Sequence, residues 1–166
     1  NYNSNYLKSG FNTNLNASFK NLNSVGKNTT EYKSSPQIEM HSIFELNTSF
    51  PLMKKQTNYN SFLTPKLSFR FNPSDMKNYS SSSKNVDVGN VFNINRLGLS
   101  DSFESGRSLT LGLNYRKEST NIEDINKYFA FNLASVIRDK EENFIPRAST
   151  IGRKNSNVFG SMEHKL

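Results

Sequence analysis

Two carboxylates and two guanidiniums crowd the stretch "NRLGLSDSFESGR": Arg96, Asp101, Glu104 and Arg107, with Asn95 at its start and Gly106 before the last arginine. Two acids in one loop hold a divalent cation only if further oxygens join them, because Ca²⁺ takes six or more. Two are too few, so the expected chemistry is ion pairing, Asp101 and Glu104 with Arg96 and Arg107, which would fix the loop. Arg70 stands in the alternating segment "PKLSFRFN". A guanidinium there grips a phosphate bidentately or pairs with a carboxylate, and both uses stay open. His41 and His164 are far apart and have no ligand-like neighbours, so no metal site is expected. No serine sits in a G-x-S-x-G elbow, and no glycine loop cradles a phosphate. No catalytic residue and no cofactor is expected, and the chain does not read as an enzyme.

The composition limits what can position these groups. Asn and Ser each occur about 25 times among 166 residues, far above average usage. Only 34% of the residues are hydrophobic and the mean hydropathy is -0.70, yet 12% are aromatic, with 13 Phe, 7 Tyr and no Trp. Disordered chains are poor in aromatics, and soluble domains this polar bury too little to offset chain entropy. There is no cysteine, which excludes disulfides and thiolate metal sites within this stretch. The net charge of +7 is scattered, for example over Lys54, Lys55, Arg116, Lys117, Arg153 and Lys154, and suits a solvated basic surface or an anionic partner. No signal peptide pattern and no apolar run of about 18 residues is present. The chain starts without Met and keeps a strand-like pattern to its end. The expectation is an internal piece of a longer protein.

The elements that carry the chemistry alternate with period two, the mark of half-buried strands. Leu15, Ala17 and Phe19 face Asn14, Asn16, Ser18 and Lys20; Phe44, Leu46, Thr48 and Phe50 face Glu45, Asn47 and Ser49. Phe69 and Phe71 alternate with Ser68 and Arg70, and Leu109, Leu111, Leu113 and Tyr115 with Thr110, Gly112 and Asn114. Phe131 and Leu133 alternate with Asn132, and residues 157–166 alternate more weakly. Ile122, Ile125, Phe129, Leu133, Val136 and Ile137 also fit a helical face, so strand and helix compete there.

Turn-rich connectors fall at 26–36, 53–61, 73–106, 118–126 and 139–147, and the Ser80–Lys84 run reads as a mobile loop tip. A soluble sandwich and a membrane barrel both fit this pattern. The polar faces favour the barrel, because Asn, Ser, Gly and Ala suit a wet lumen. Residues 107–117 have the length to span about 25 Å when tilted. The long connectors would lie outside the cell and the short ones at the periplasm, where Phe50, Phe62, Tyr115, Tyr128 and Phe129 would form an aromatic girdle. Ser68, Arg70, Thr110, Asn114 and Asn132 would then face the lumen, and Phe69, Phe71, Leu109, Leu111, Leu113, Phe131 and Leu133 the lipid.

The loop and its following strand resemble a known signature. Asn95, Arg96, Asp101, Glu104 and Gly106, then Gly112 and Tyr115, match in order and spacing the barrel motif of the LPS-assembly outer-membrane protein family, LptD (OstA/Imp). Pro51 and Leu52, then Leu63, Pro65 and Pro73, look like its Y-P-L and L-x-P strand pair. The resemblance runs from Phe44 to Leu166. Leu99 stands where relatives place a glycine, and Ser100 where they place an aromatic residue.

The resemblance implies an all-β fold of antiparallel strands forming part of a large transmembrane outer-membrane β-barrel. Residues 1–166 would be a mid-barrel fragment, without the N-terminal periplasmic domain or the terminal gate strands. It implies transport of lipopolysaccharide into the outer leaflet of the outer membrane. The implied partners are lipopolysaccharide, a plug lipoprotein (LptE-like) and a periplasmic Lpt bridge. No nucleic acid and no cofactor is implied. Under this reading the functional alternative for the Asn95–Arg107 loop is contact with the partner or with lipopolysaccharide. Another outer-membrane barrel, a porin or receptor, shares the strands without needing the loop pattern. A soluble Asn-rich β adhesin or a nucleic-acid-binding module fits the charge and aromatics, but no RNP-like or helix-turn-helix pattern appears.

Overall fold

The computed structural model describes residues 1–27, 34–121, 124 and 126–165. Eight strands follow in chain order: β1 (Tyr2–Lys8), β2 (Phe11–Ser24), β3 (Gln37–Ser49), β4 (Leu52–Lys55), β5 (Tyr59–Asn72), β6 (Gly106–Ser119), β7 (Tyr128–Arg138) and β8 (Phe159–Lys165). They form one antiparallel sheet in the order β1-β2-β3-β5-β6-β7-β8, with β4 also paired to β5. The sheet is open, with β1 and β8 at its two edges.

β3 and β4 behave as one long strand. Phe44 opposes Phe71 and Ser49 opposes Lys66, while Leu52 opposes Leu63 and Lys55 opposes Asn60, so the register against β5 is unbroken. The interruption lies at Phe50 and Pro51, beside Pro65 of β5, where two prolines remove ladder donors. β4 lies in the stretch expected to be a connector, and the connector itself shrinks to residues 56–58. β7 settles the competition at 128–138 as strand. Ile122 and Ile125 of the competing helical face lie outside the described residues, as does most of the 26–36 connector.

The connectors differ at the two ends of the sheet. Residues 9–10, 56–58 and 120–127 join strands at one end; residues 25–36, 73–105 and 139–158 join them at the other. The first is a hairpin with both turn residues in the left-handed region, Ser9 at φ 52° and Gly10 at φ 81°, which matches strand twist.

Alternation gives the sheet two unlike faces. Phe69, Phe71, Leu109, Leu111, Leu113, Phe131 and Leu133 share one face, set by the pairs Phe69–Leu109, Leu113–Leu133 and Tyr115–Phe131. This face is apolar and uncovered: Phe69, Leu111 and Leu133 each stay 43% exposed. Ser68, Arg70, Thr110, Asn114 and Asn132 share the other, through Ser68–Thr110 and Asn114–Asn132. The five aromatics expected in one girdle divide between the faces. Tyr115 and Phe129 lie on the apolar face and Phe50 stacks there on Phe11, with ring centroids 4.6 Å apart. Phe62 opposes Arg116, and Arg116 opposes Ala130, which places Phe62 and Tyr128 on the polar face.

Much of the polar face is not open. Residues 73–105 fold back over β5, β6 and β7 and carry the apolar core: Met76, Val86, Val91, Leu97 and Leu99 pack with Ala134 and Val136 of β7 and with Ile145 and Ile151 of the last connector. A segment with this many aliphatic residues must bury them, and the small residues of the polar face leave room. The Ser80–Lys84 run is therefore not a free tip. The Tyr79 amide donates to the Phe144 carbonyl at 2.8 Å and the Arg147 amide to the Ser80 carbonyl at 3.4 Å.

Candidate functional site

The polar face is organised in rows of directly opposed residues. One row runs across six strands: Asn3, Asn16, Glu45, Arg70, Ser108 and Arg138. Its first four members are bonded in sequence. Asn3 Nδ2 donates to Asn16 Oδ1 at 2.7 Å, Asn16 Nδ2 to Glu45 Oε1 at 3.1 Å, and Arg70 Nε to Glu45 Oε2 at 3.2 Å. Arg70 Nη2 also donates to the Asn93 carbonyl at 2.6 Å, so this row begins the clamp on the 73–105 segment.

Glu104 completes the clamp from above. Arg96 donates through Nε to Glu104 Oε2 at 2.6 Å and through Nη2 to Glu104 Oε1. Arg138 donates to Glu104 Oε1 and to the Ser105 carbonyl. Arg70 Nη1 lies 3.7 Å from Glu104 Oε2. Arg96 also reaches Thr110 Oγ1 at 3.0 Å and Ser108 Oγ at 3.2 Å, so it ties the loop to β6. Three guanidiniums thus surround two carboxylates, Glu45 and Glu104, and all five side chains are buried. Burial alone would raise the Glu104 carboxyl; the Arg96 guanidinium, then Arg138 and Arg70, overcome it and hold the group down at about 2.

The expected pairing is therefore met for one acid and changed for the other. Glu104 pairs with Arg96, but Asp101 does not meet an arginine. It accepts from the Tyr79 hydroxyl and lies 3.3 Å from Lys77 Nζ. Burial would raise Asp101, and the Tyr79 hydroxyl and Lys77 pull it below its ordinary value; burial and the Asp101 bond push Tyr79 up to about 12. Arg107 turns away to Asp139, 2.8 Å from its Nη2, because β6 alternation puts it on the apolar face. Arg70 is 2% exposed and ion-paired, so it is closed to a phosphate. Asn95 closes a turn in the loop, with Oδ1 accepting from the Leu99 amide at 3.0 Å and Nδ2 donating to the Leu99 carbonyl at 2.8 Å. Gly106 has φ 79°, the left-handed conformation that turns the chain from the loop into β6.

Gly112 marks the closest approach of loop and sheet. A Cβ at this position would lie 2.5 Å from Cζ of Phe92. Of the groups that build the site, Glu45, Arg138 and Phe92 were not legible as partners. Each is paired through strand register or loop docking, which short-range pattern does not encode. The one signal available was Arg138, two places after Val136 on the alternation of β7.

The match to known families adds to this geometry. Residues 1–165 match the family model described as LPS transport system D. The chain belongs to the LptD family. The match includes residues 1–43, which the motif resemblance from Phe44 to Leu166 did not cover, so β1 and β2 belong to the family region as well. No curated protein and no solved structure matches the chain. LptD is an outer-membrane β-barrel family of lipopolysaccharide transport and assembly, not an enzyme family. Membership gives the chain a role in lipopolysaccharide transport with the Lpt machinery, and the all-β antiparallel sheet fits a section of such a barrel.

Proposed function

We propose that the chain is a middle section of the barrel wall of an LptD protein in the outer membrane, which inserts lipopolysaccharide into the outer leaflet. The observation that carries this is the height of the uncovered apolar face. On β6 it runs from Arg107, paired with Asp139, to Lys117. Ten rises of about 3.3 Å, tilted by about 45°, give roughly 23 Å, close to the apolar band of outer-membrane barrels. Rows of Phe and Leu fill the interval, and an apolar face this wide is a liability in water but not in lipid.

In this reading Phe69, Phe71, Leu109, Leu111, Leu113, Phe131 and Leu133 meet lipid, and Asn114 and Asn132 meet the lumen. Ser68, Arg70 and Thr110 face inward but lie under the 73–105 segment, which narrows the lumen from the long-connector end. Asn95, Arg96, Glu104 and Gly106 hold that segment in place. Further strands of a longer chain would pair with β1 and β8, an LptE-like lipoprotein would plug the lumen, and the periplasmic Lpt bridge would deliver lipid from the short-turn end.

The test is depletion of the parent protein in its own cells, with surface lipopolysaccharide counted by antibody and the barrel followed in isolated outer membranes. Depletion should remove lipopolysaccharide from the surface while other barrels remain. Normal surface lipopolysaccharide after depletion would sink the export reading in favour of a porin or receptor. Recovery of the parent protein in the soluble fraction would sink the barrel.

A further inference from the structure

The two borders of the apolar face carry different charge. At the long-connector border Arg107 is neutralised by Asp139, 2.8 Å away. At the short-turn border a different row crosses the sheet: Lys54, Ser61, Lys117, Phe129 and His164, directly opposed on β4, β5, β6, β7 and β8. The row just inside it is apolar apart from the Tyr115 hydroxyl: Leu52, Leu63, Tyr115, Phe131 and Met162. A cationic and aromatic row thus follows directly on hydrocarbon-like side chains, without a carboxylate in it.

We propose that this border is a binding belt for anionic phospholipid headgroups, an inference that rests on the membrane reading above. The geometry suits a phosphodiester. Lys117 Nζ stands 4.2 Å above the centre of the Tyr59 ring, which holds the ammonium at the rim instead of letting it sweep through solvent. Phe129 and His164 pack edge to face with centroids 6.3 Å apart. Beside them opens a shallow pocket of about 270 Å³ lined by Lys117 and Lys127, with Lys165, opposite Tyr128, entering it from the polar face. Asp124, 2.9 Å from Lys127 Nζ, is the carboxylate lining it among the described residues. Aromatic rings favour the glycerol level of a bilayer, and each lysine near the surface attracts negatively charged lipid. Among the described residues of the row and pocket, ammonium groups outnumber carboxylates, which selects headgroups with net negative charge over zwitterionic ones. The occupant is a phospholipid of the leaflet at the short-turn end, since lipopolysaccharide belongs at the opposite border.

The experiment uses the full-length parent barrel in nanodiscs of phosphatidylcholine doped with phosphatidylglycerol, followed by native mass spectrometry of the lipids retained on release. The wild type should retain phosphatidylglycerol in preference to phosphatidylcholine. Lys54→Gln with Lys117→Gln should lower that preference by about fivefold for each lysine removed. Lys54→Arg with Lys117→Arg should keep it, and Lys154→Gln, at the other end of the sheet, should leave it unchanged. Heat-modifiable mobility on a gel verifies that each variant is folded. An unchanged preference in the glutamine pair, or an equal loss in Lys154→Gln, overturns the belt. So does retention of added lipopolysaccharide at these lysines in place of phosphatidylglycerol. A wild-type barrel that does not enter nanodiscs overturns the membrane reading and the belt with it.

Discussion

The Phe92 ring occupies the space that a side chain at position 112 would need: a Cβ on Gly112 would come within 2.5 Å of its Cζ atom. The loop residue and the strand residue are fitted to each other, one large and one absent. Gly112→Val should force the ring out, costing about 1–3 kcal/mol as overpacking does. Hydrogen exchange at residues 86–99 should rise. Phe92→Ala combined with Gly112→Val should recover part of the protection, because neighbouring substitutions in contact do not add. Simple additivity of the two changes would show that the ring does not seat the loop.

Glu104 is the anion on which three arginines converge. Glu104→Gln removes its charge and leaves Arg70, Arg96 and Arg138 with Glu45 alone. Breaking a buried pair from one side costs about 3–5 kcal/mol, so docking of residues 73–105 should weaken by that order, read by the same exchange measurement. Arg107→Gln breaks an ion pair whose side chains are 59% and 36% exposed, and pairs of that kind contribute about 0–1 kcal/mol. Similar effects of the two changes would remove Glu104 from its central place.

The two faces of β6 should differ in tolerance. Leu111→Arg, at mid-strand on the uncovered face, should impair membrane insertion by about 2–4 kcal/mol. Asn114→Arg, on the polar face, should be milder. Assembly of the full barrel into lipid vesicles, followed by gel mobility, measures both. Equal tolerance would contradict the lipid-facing assignment.

Acid should release the loop late. The Glu104 carboxyl is depressed in the folded state, so its contribution is fully present above the ordinary carboxylate range, near 4.5, and is lost as pH falls toward about 2. Asp101 is shifted in the same direction. Protection of residues 86–99 should hold at pH 5 and above and fall below it. Release between pH 6 and pH 8 would mean that another group controls docking.

Much of the sheet was legible because a period of two is a local property. Leu109 to Tyr115 and Phe69 to Phe71 declare their faces within a few residues. β1 was harder, since Tyr2, Ser4 and Tyr6 alternate with asparagines and leave little contrast. The Glu104–Arg96 pair lies eight residues apart within one loop and follows from charge and proximity. Glu45–Arg70 and Glu104–Arg138 depend on which strand residues stand opposite each other, and that is set by turns and neighbours along the whole sheet. The grouping of Phe62 and Tyr128 with Phe50, Tyr115 and Phe129 in one girdle fails for the same reason: position near a strand end does not give parity. The inward fold of residues 73–105 left a trace in Val86, Val91, Leu97 and Leu99, too apolar together for an external loop, but their destination was a surface built by three other segments.

The 73–105 segment lies between β5 and β6 in the chain, yet Ala134, Val136 and Arg138 of β7 complete its seat. This sets an order in time. β5 and β6 pair directly with each other, but the aliphatic residues between them are covered only when β7 and the last connector are in place. The segment should therefore be the last part of this region to gain protection. A chain stopped after β6 would carry an unseated loop, whereas one that runs on through Ile151 supplies every buried residue of its seat.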